Sequence, residues 1–128
     1  MTVVTKEMFL RSYKPPVEEV PLPELGPGVV IRVRGMTTRE RSDFERQFMS
    51  KSGERIPGRT QEMRERLLVW ACVDENNVPL FSMSDIRAIG EQNSVVTERI
   101  VDVAQRLCGM GKVNAEEIEK NSEETPAG

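Results

Sequence analysis

The chain has 128 residues, of which 38% are hydrophobic and 30% charged, and its formal net charge is −3 at neutral pH, which fits one soluble domain with its own core. No apolar run approaches the ~20 residues that cross a bilayer, and the N-terminus lacks a signal-peptide pattern, so we expect an intracellular protein. The negative net charge disfavours general binding to nucleic acid or to anionic membranes, because both require a positive surface.

The N-terminal region predicts a short helix followed by an edge strand. Thr5 can cap a helix in which Phe9 and Tyr13 lie one turn apart. The proline pair at 15–16 ends this helix, because the residue before a proline avoids helical angles. Residues 17–23 alternate acidic and apolar side chains, but their two prolines lack the N–H that a central strand donates. We therefore expect this strand at an edge.

The next segment predicts a half-buried strand. Val29, Ile31 and Val33 share one face, and Arg32 and Arg34 fall on the other. A hairpin of two such strands is marginally stable alone in water. Its apolar face must therefore be covered by helices.

Two helices follow in the central region. Thr37 and Glu40 match the capping box, which predicts a helix over residues 39–49. After a polar loop, Met63, Leu67 and Trp70 recur at helical spacing and merge with an apolar run. We interpret this run as the deepest part of the core, with Trp70 at the centre of the packing.

The C-terminal half predicts a short helix and then the longest one. Ser82 or Ser84 can cap the short helix, and Gly90 can end it in the left-handed conformation. Asn93 or Ser94 begins the longer helix. The apolar stripe of that helix contains Val96, Ile100, Val103 and Leu107.

These elements predict an α+β fold, a mainly α-helical single domain with a small N-terminal β-hairpin and four or five helices. We assign this domain to residues 1–112. Residues 113–128 are acidic and end in small and polar residues, so we expect a flexible C-terminal tail there.

The residue types argue against catalysis. The chain has no histidine, which removes the commonest general base and the commonest metal ligand. Cys72 and Cys108 lie in apolar segments, a setting typical of buried, reduced thiols, and without histidine they cannot complete an ordinary zinc site. We expect no enzymatic activity, no cofactor and no metal ion.

Two other patterns have competing interpretations. Residues 84–107 have the helix, turn and helix of a DNA-binding motif, but the second helix carries little positive charge. The arginines between residues 32 and 66 are interleaved with carboxylates, which favours a solvated charged face over a docking surface for an acidic partner.

The order of these motifs resembles that of the tail assembly chaperones of siphovirus-type phages and prophages, which have long non-contractile tails. The resemblance rests on residues 16–23, 33–37, 39–45, 68–76, 79–82, 85–86 and 103–109. None of these segments is a catalytic signature.

The resemblance implies a protein made in the host bacterial cytoplasm that binds the tape measure protein and keeps it soluble. It implies that the tail tube (major tail) protein polymerises around this complex, and that the chaperone is absent from the mature virion. Self-association and a longer frameshifted form are open alternatives, and neither nucleic acid nor membrane is implied as a partner. The competing classes are a structural tail or head-completion component of the virion and a helix-turn-helix regulator.

A protein that holds an apolar helical client needs accessible hydrophobic side chains, and flexible methionines suit such surfaces. The candidate partner-binding residues are Met8, Phe9 and Leu10 near the N-terminus, and Met83 and Met110 beside turns. The alternative is that these side chains close the core or lie singly exposed.

Overall fold

The structure is a computed structural model that describes residues 1–11 and 14–111. These residues form five α-helices and three short strands. The helices are α1 (Lys6–Arg11), α2 (Thr38–Arg46), α3 (Met63–Ala71), α4 (Ile86–Gly90) and α5 (Ser94–Leu107), and the strands are β1 (Val17–Pro21), β2 (Val30–Arg34) and β3 (Cys72–Val73). The predicted α+β, mainly helical fold is confirmed, while Tyr13 and the predicted tail over residues 113–128 lie outside the described residues.

The strands form one antiparallel sheet in the order β1-β2-β3. Val20 lies opposite Ile31 and Glu18 opposite Val33, and Val33 also lies opposite Cys72 of β3. The predicted edge position of the proline-containing strand is confirmed. β3 is unexpected from the sequence, because its two residues continue the apolar run of α3.

Pro21 stands where its missing N–H does not weaken the sheet. The Leu22 N–H donates to the Val29 carbonyl at 2.8 Å, and the Gly35 N–H donates to the Pro16 carbonyl at 2.9 Å. Because backbone groups alternate in direction along a strand, even-numbered residues of β1 face β2 and odd-numbered residues face the free edge. The free edge therefore has one donor fewer, and the β1–β2 pairing is complete.

The core lies between the sheet, α3 and α5. Val33, Leu67, Ala71 and Ala104 are completely buried, and α3 packs along α5. The interpretation of the α3 run as the deepest part of the core is confirmed by these residues.

Trp70 is not the centre of this packing. Its side chain is only partly buried, and its ring meets the Phe44 ring edge-on, with 6.5 Å between centroids. Leu67 and Ala71, one turn apart on α3, occupy the deepest position instead. The indole extends toward Phe44 of α2.

The helix boundaries follow local capping chemistry. The Glu40 N–H donates to the Thr37 hydroxyl, and the Thr37 N–H donates to the Glu40 carboxylate at 3.0 Å, so the predicted capping box is confirmed. Helix α2 ends at Arg46, three residues before the predicted end, where the chain tightens into turns. Asn93 caps α5, because its side-chain oxygen accepts the Val95 N–H at 2.8 Å.

The prediction for Gly90 is wrong. Gly90 is the last helical residue of α4, and Glu91 after it also has right-handed angles (φ −92°, ψ 0°). The chain turns into α5 through the Asn93 cap, so no left-handed residue is needed at position 90. A left-handed glycine does follow α5, where Gly109 has φ 73°.

Candidate functional site

An apolar cleft opens between α4, the first half of α5 and the turn that follows β1. Its volume is about 390 Å³, within the range of pockets that bind ligands. The apolar residues that line it are Leu22, Leu25, Ile31, Leu68, Phe81, Ala88, Ile89, Val96 and Ile100. We term it the α4–α5 cleft.

The floor and the rim of the cleft differ in burial. Leu22, Ile31 and Ile100 form part of the floor and belong to the buried core. Leu25 stands at the rim and is 68% exposed, because the 3-10 turn Pro23–Leu25 directs Leu22 inward and Leu25 outward. A partner that enters the cleft would therefore cover apolar surface that the fold leaves in water.

An ion pair fixes this rim to α5. The Arg99 guanidinium donates to both carboxylate oxygens of Glu24, at 2.8 and 2.6 Å, and also to the Pro21 carbonyl at 3.3 Å. The hydrogen bond from Arg99, helped by a backbone N–H, lowers the pKa of Glu24 from 4.5 to about 2. Both partners are partly exposed, so the pair fixes geometry more than it adds stability.

A capping box fixes the opposite side. The Ser82 N–H donates to the Asp85 carboxylate at 2.8 Å, which holds the 3-10 turn Met83–Asp85 in place before α4. Phe81 and Asp85 both line the cleft. The lining residues thus include the carboxylates of Glu24 and Asp85 and no lysine or arginine.

The five predicted contact residues lie outside this lining. Phe9 and Leu10 are each 69% exposed, and Met8 and Met83 are also exposed. Met110 is partly buried and packs against the core. The structure does not bring the five together around the cleft. In the sequence, Met83 lies between Phe81 and Asp85, which both line the cleft.

Helix α1 forms a second uncovered apolar surface. Every residue from 1 to 11 is exposed, and α1 has no buried residue. The described chain therefore presents both a cleft and a separate helix with exposed apolar side chains.

The thiols of Cys72 and Cys108 are buried and lie apart from the cleft lining. Burial raises the pKa of Cys72 to about 12 and also raises the pKa of Cys108. Within residues 1–11 and 14–111, no group of three or more histidine, cysteine, aspartate or glutamate side chains could hold a metal ion. No helix in the same ranges is long and apolar enough to cross a bilayer.

The cationic side chains of α5 are engaged within the molecule. Arg99 pairs with Glu24, and Arg106 pairs with Glu18, each with a closest nitrogen–oxygen distance of 2.6 Å. A recognition helix presents its cations and amides to phosphates and bases. The geometry of α5 therefore favours a scaffold element over a DNA-reading helix.

No protein-family model and no curated protein sequence matches this chain. A solved structure does match it, the tail assembly chaperone of bacteriophage HK97, with a TM-score of 0.55 and 16% sequence identity. The chain has the fold of a phage tail assembly chaperone. The match covers 83% of this chain and 95% of the HK97 chaperone, so the tail assembly chaperone fold accounts for most of the molecule. At this identity the agreement concerns the fold.

Sequence reasoning missed the cleft because its walls come from separated segments. Val96 and Ile100 belong to a stripe that predicts core contact along all of α5. The available signal was Leu22 and Leu25 on either side of Pro23, since apolar residues within a proline turn have no strand or helix partner of their own.

Proposed function

We propose that this chain is a phage tail assembly chaperone that acts in the host bacterial cytoplasm. It binds the tape measure protein, keeps it soluble and promotes polymerisation of the tail tube protein around it, and it is absent from the mature virion. The observation that carries the proposal is an open apolar cleft on a fold like that of the HK97 tail assembly chaperone. The role needs no catalytic group, cofactor or metal ion.

The cleft suits a helical client. An amphipathic helix binds by placing side chains at steps of three and four residues into an apolar groove. The buried floor residues Ile31, Leu68 and Ile100 supply a dry base, and Leu25 and Phe81 supply walls that can close on such side chains. Binding would remove from water both the apolar surface of the cleft and the apolar stripe of the client.

We assign a second client contact to α1 and to the turn before α4. Met8, Phe9, Leu10 and Met83 are exposed, and Met110 is partly buried against the core. Replacing Phe9 and Leu10 with serine is expected to abolish co-purification with the tape measure protein. The variant should remain folded, because neither side chain is part of the core.

The cleft is tested by co-expression with the tape measure protein of the same phage or prophage. Ala88 is exposed and lines the cleft, so Ala88→Glu places a carboxylate inside it without disturbing the core. We expect the soluble tape measure protein to fall to the level found without the chaperone. The matched control is Val95→Glu, because Val95 is 67% exposed on α5 but outside the cleft, and this variant should retain full activity.

If the Ala88→Glu variant keeps the tape measure protein fully soluble, the client does not bind in the cleft. A wild-type chain that leaves the tape measure protein insoluble would contradict the chaperone role itself. Mass spectrometry of purified virions tests the competing class, since a structural component would be found there in stoichiometric amount.

A further inference from the structure

A second, polar pocket adjoins the α4–α5 cleft. It lies where the first turn of α3 meets the turn between α4 and α5, and its volume is about 250 Å³. Its lining residues are Arg64, Glu65, Ile89, Gly90, Gln92, Ser94, Thr97 and Glu98. Ile89, Gln92 and Thr97 line the cleft as well, so the two openings share a wall. We term the second opening the Glu65 pocket.

Glu65 lacks a partner within the described part of the chain. Its Oε2 atom is enclosed and has no hydrogen-bond partner there. No lysine or arginine within residues 1–11 and 14–111 forms an ion pair with it. Arg64 also lines the pocket, but its guanidinium is engaged with Glu98 at 2.7 Å. A partly buried carboxylate that has given up hydration without gaining a partner is costly, and an added cation would compensate that loss.

Gly90 leaves the space in front of this carboxylate open. A Cβ added at Gly90 would lie 3.5 Å from the Oε1 atom of Glu65, in van der Waals contact with it. The backbone does not require glycine at this position, because Gly90 is the last residue of α4 and its φ is not positive. Alanine is favoured over glycine at helical angles. The glycine therefore lowers local helix stability while it keeps Glu65 accessible.

We propose that the Glu65 pocket binds the ammonium group of a lysine in the client helix that occupies the α4–α5 cleft. This inference rests on the proposed function. The apolar stem of a lysine can lie along the shared wall while its charged end reaches Glu65. Lysine fits better than arginine, because Oε2 is enclosed and a guanidinium binds best where both carboxylate oxygens are available.

The order of the two openings along α3 sets a pattern for the client. Leu68 lines the cleft, and Glu65, three residues earlier, lies on the same face of α3 and lines the pocket. About one helical turn, ~5 Å, separates them. The client helix should therefore carry its lysine close to one end of its apolar stripe. Such a charge contact adds specificity that apolar contact alone does not provide.

The first experiment repeats the co-expression with the tape measure protein for two variants of the pocket. Glu65→Gln removes the charge, and Gly90→Ala places a methyl group against Oε1. We expect each variant to lower the yield of soluble tape measure protein at least about fivefold, the effect of losing one close charge pair. The control is Glu91→Gln, because Glu91 is exposed and lies outside both linings, and this variant should behave like wild type.

The melting temperature of each free variant distinguishes a binding role from a structural one. Neither variant should melt below wild type, because Glu65→Gln removes an uncompensated charge and Gly90→Ala places a better helix former at a helical position. Loss of the client at an unchanged or higher melting temperature supports the proposal. A lower melting temperature for Glu65→Gln would assign Glu65 to the stability of the fold and overturn it.

A second experiment identifies the lysine. The co-purified complex of wild-type chain and tape measure protein is treated with a carbodiimide, which joins a carboxylate and an amine in contact as an amide. Mass spectrometry should find Glu65 joined to a lysine of the tape measure protein. Replacing that lysine with methionine should lower the soluble yield with the wild-type chain and have little further effect with Glu65→Gln, as a double-mutant cycle requires for a direct pair. A complex without a cross-link at Glu65, or equal effects of the lysine change on both chains, overturns the proposal.

The outcomes separate this inference from the proposed function. If wild type, Glu65→Gln and Gly90→Ala all keep the tape measure protein equally soluble, the lysine contact is refuted and the chaperone role stands. If wild type itself leaves the tape measure protein insoluble, the chaperone role is refuted, and the lysine contact is refuted with it.

Discussion

The two halves of α5 carry one apolar stripe but meet different surroundings. In the second half, Val103 and Leu107 pack against the core beside the buried Val101 and Ala104. In the first half, Val96 and Ile100 line the open cleft. The stripe alone therefore does not determine whether a helix face is closed or accessible.

The two halves of α5 differ because the sheet contacts the helix differently at its two ends. At the closed end, a Cβ added to Gly35 would lie 2.6 Å from the Leu107 carbonyl oxygen, so β2 and α5 approach almost backbone to backbone. At the open end, the turn Pro23–Leu25 stands between sheet and helix and is fixed by the Arg99–Glu24 pair. A proline turn and one ion pair thus keep a cleft open above the buried Ile100 and the partly buried Val96.

The largest expected effect comes from adding bulk to the closed half. Ala104→Leu places three more carbons at a fully buried position and should lower the free energy of unfolding by about 3 kcal/mol. The same change at the cleft, Ala88→Leu, should alter it by less than about 0.5 kcal/mol, because the added atoms enter open space. Urea unfolding measures both. Equal losses would contradict the contrast between the packed core at Ala104 and the open cleft at Ala88.

The close approach at Gly35 should give the next largest effect. Gly35→Ala forces the new methyl group against the Leu107 carbonyl, and backbone cannot move aside cheaply, so we expect a loss of about 2 kcal/mol. The control is Gly111→Ala, since a Cβ there would meet nothing within 4 Å. Thermal unfolding compares the two variants. A Gly35→Ala protein as stable as wild type would show that the closed end has room for the added methyl group.

The smallest effect should come from the ion pair at the open end. Arg99 lowers the pKa of Glu24 from 4.5 to about 2, so the pair stabilises the fold above pH 4.5. This stabilisation is lost as the pH falls through about 2. Glu24→Gln should therefore be slightly less stable than wild type at neutral pH and equal to it at the acid limit. A gap in melting temperature that persists in strong acid, or that high salt does not reduce, would point to another cause.

Features that depend on a few neighbouring residues could be predicted from the sequence. The capping box at Thr37 and Glu40, a cap at Asn93 or Ser94 and the edge position of β1 each follow from chemistry within three or four residues. Each is confirmed in the structure.

Features that depend on distant segments could not be predicted in the same way. Trp70 looks like a core centre because indoles are large, but its depth is set by where α2 lies. Gly90 was predicted to end its helix in the left-handed conformation. The chain instead turns into α5 at the Asn93 cap, so Gly90 does not need that conformation.

The candidate site shows the same limit. Exposed residues such as Phe9, Leu10 and Met83 could be proposed from their types and positions, and their binding role stays a prediction. The cleft could not. Val96 and Val103 lie on one stripe and both pack partly buried against the core, and only the arrangement of β1, α4 and α5 places Val96, and not Val103, in the lining of the cleft.

The position of Pro21 on the free edge of β1 also affects the tendency of the chain to aggregate. A protein with exposed apolar surfaces is at risk of aggregation, and an unpaired strand is the usual template for it. Here the outward-facing register of β1 offers N–H groups only from Val17 and Glu19, and Glu19 adds an exposed carboxylate. An incoming strand would find too few donors to extend the sheet. The free edge of β1 is therefore a poor template for the growth of the sheet from one molecule to the next.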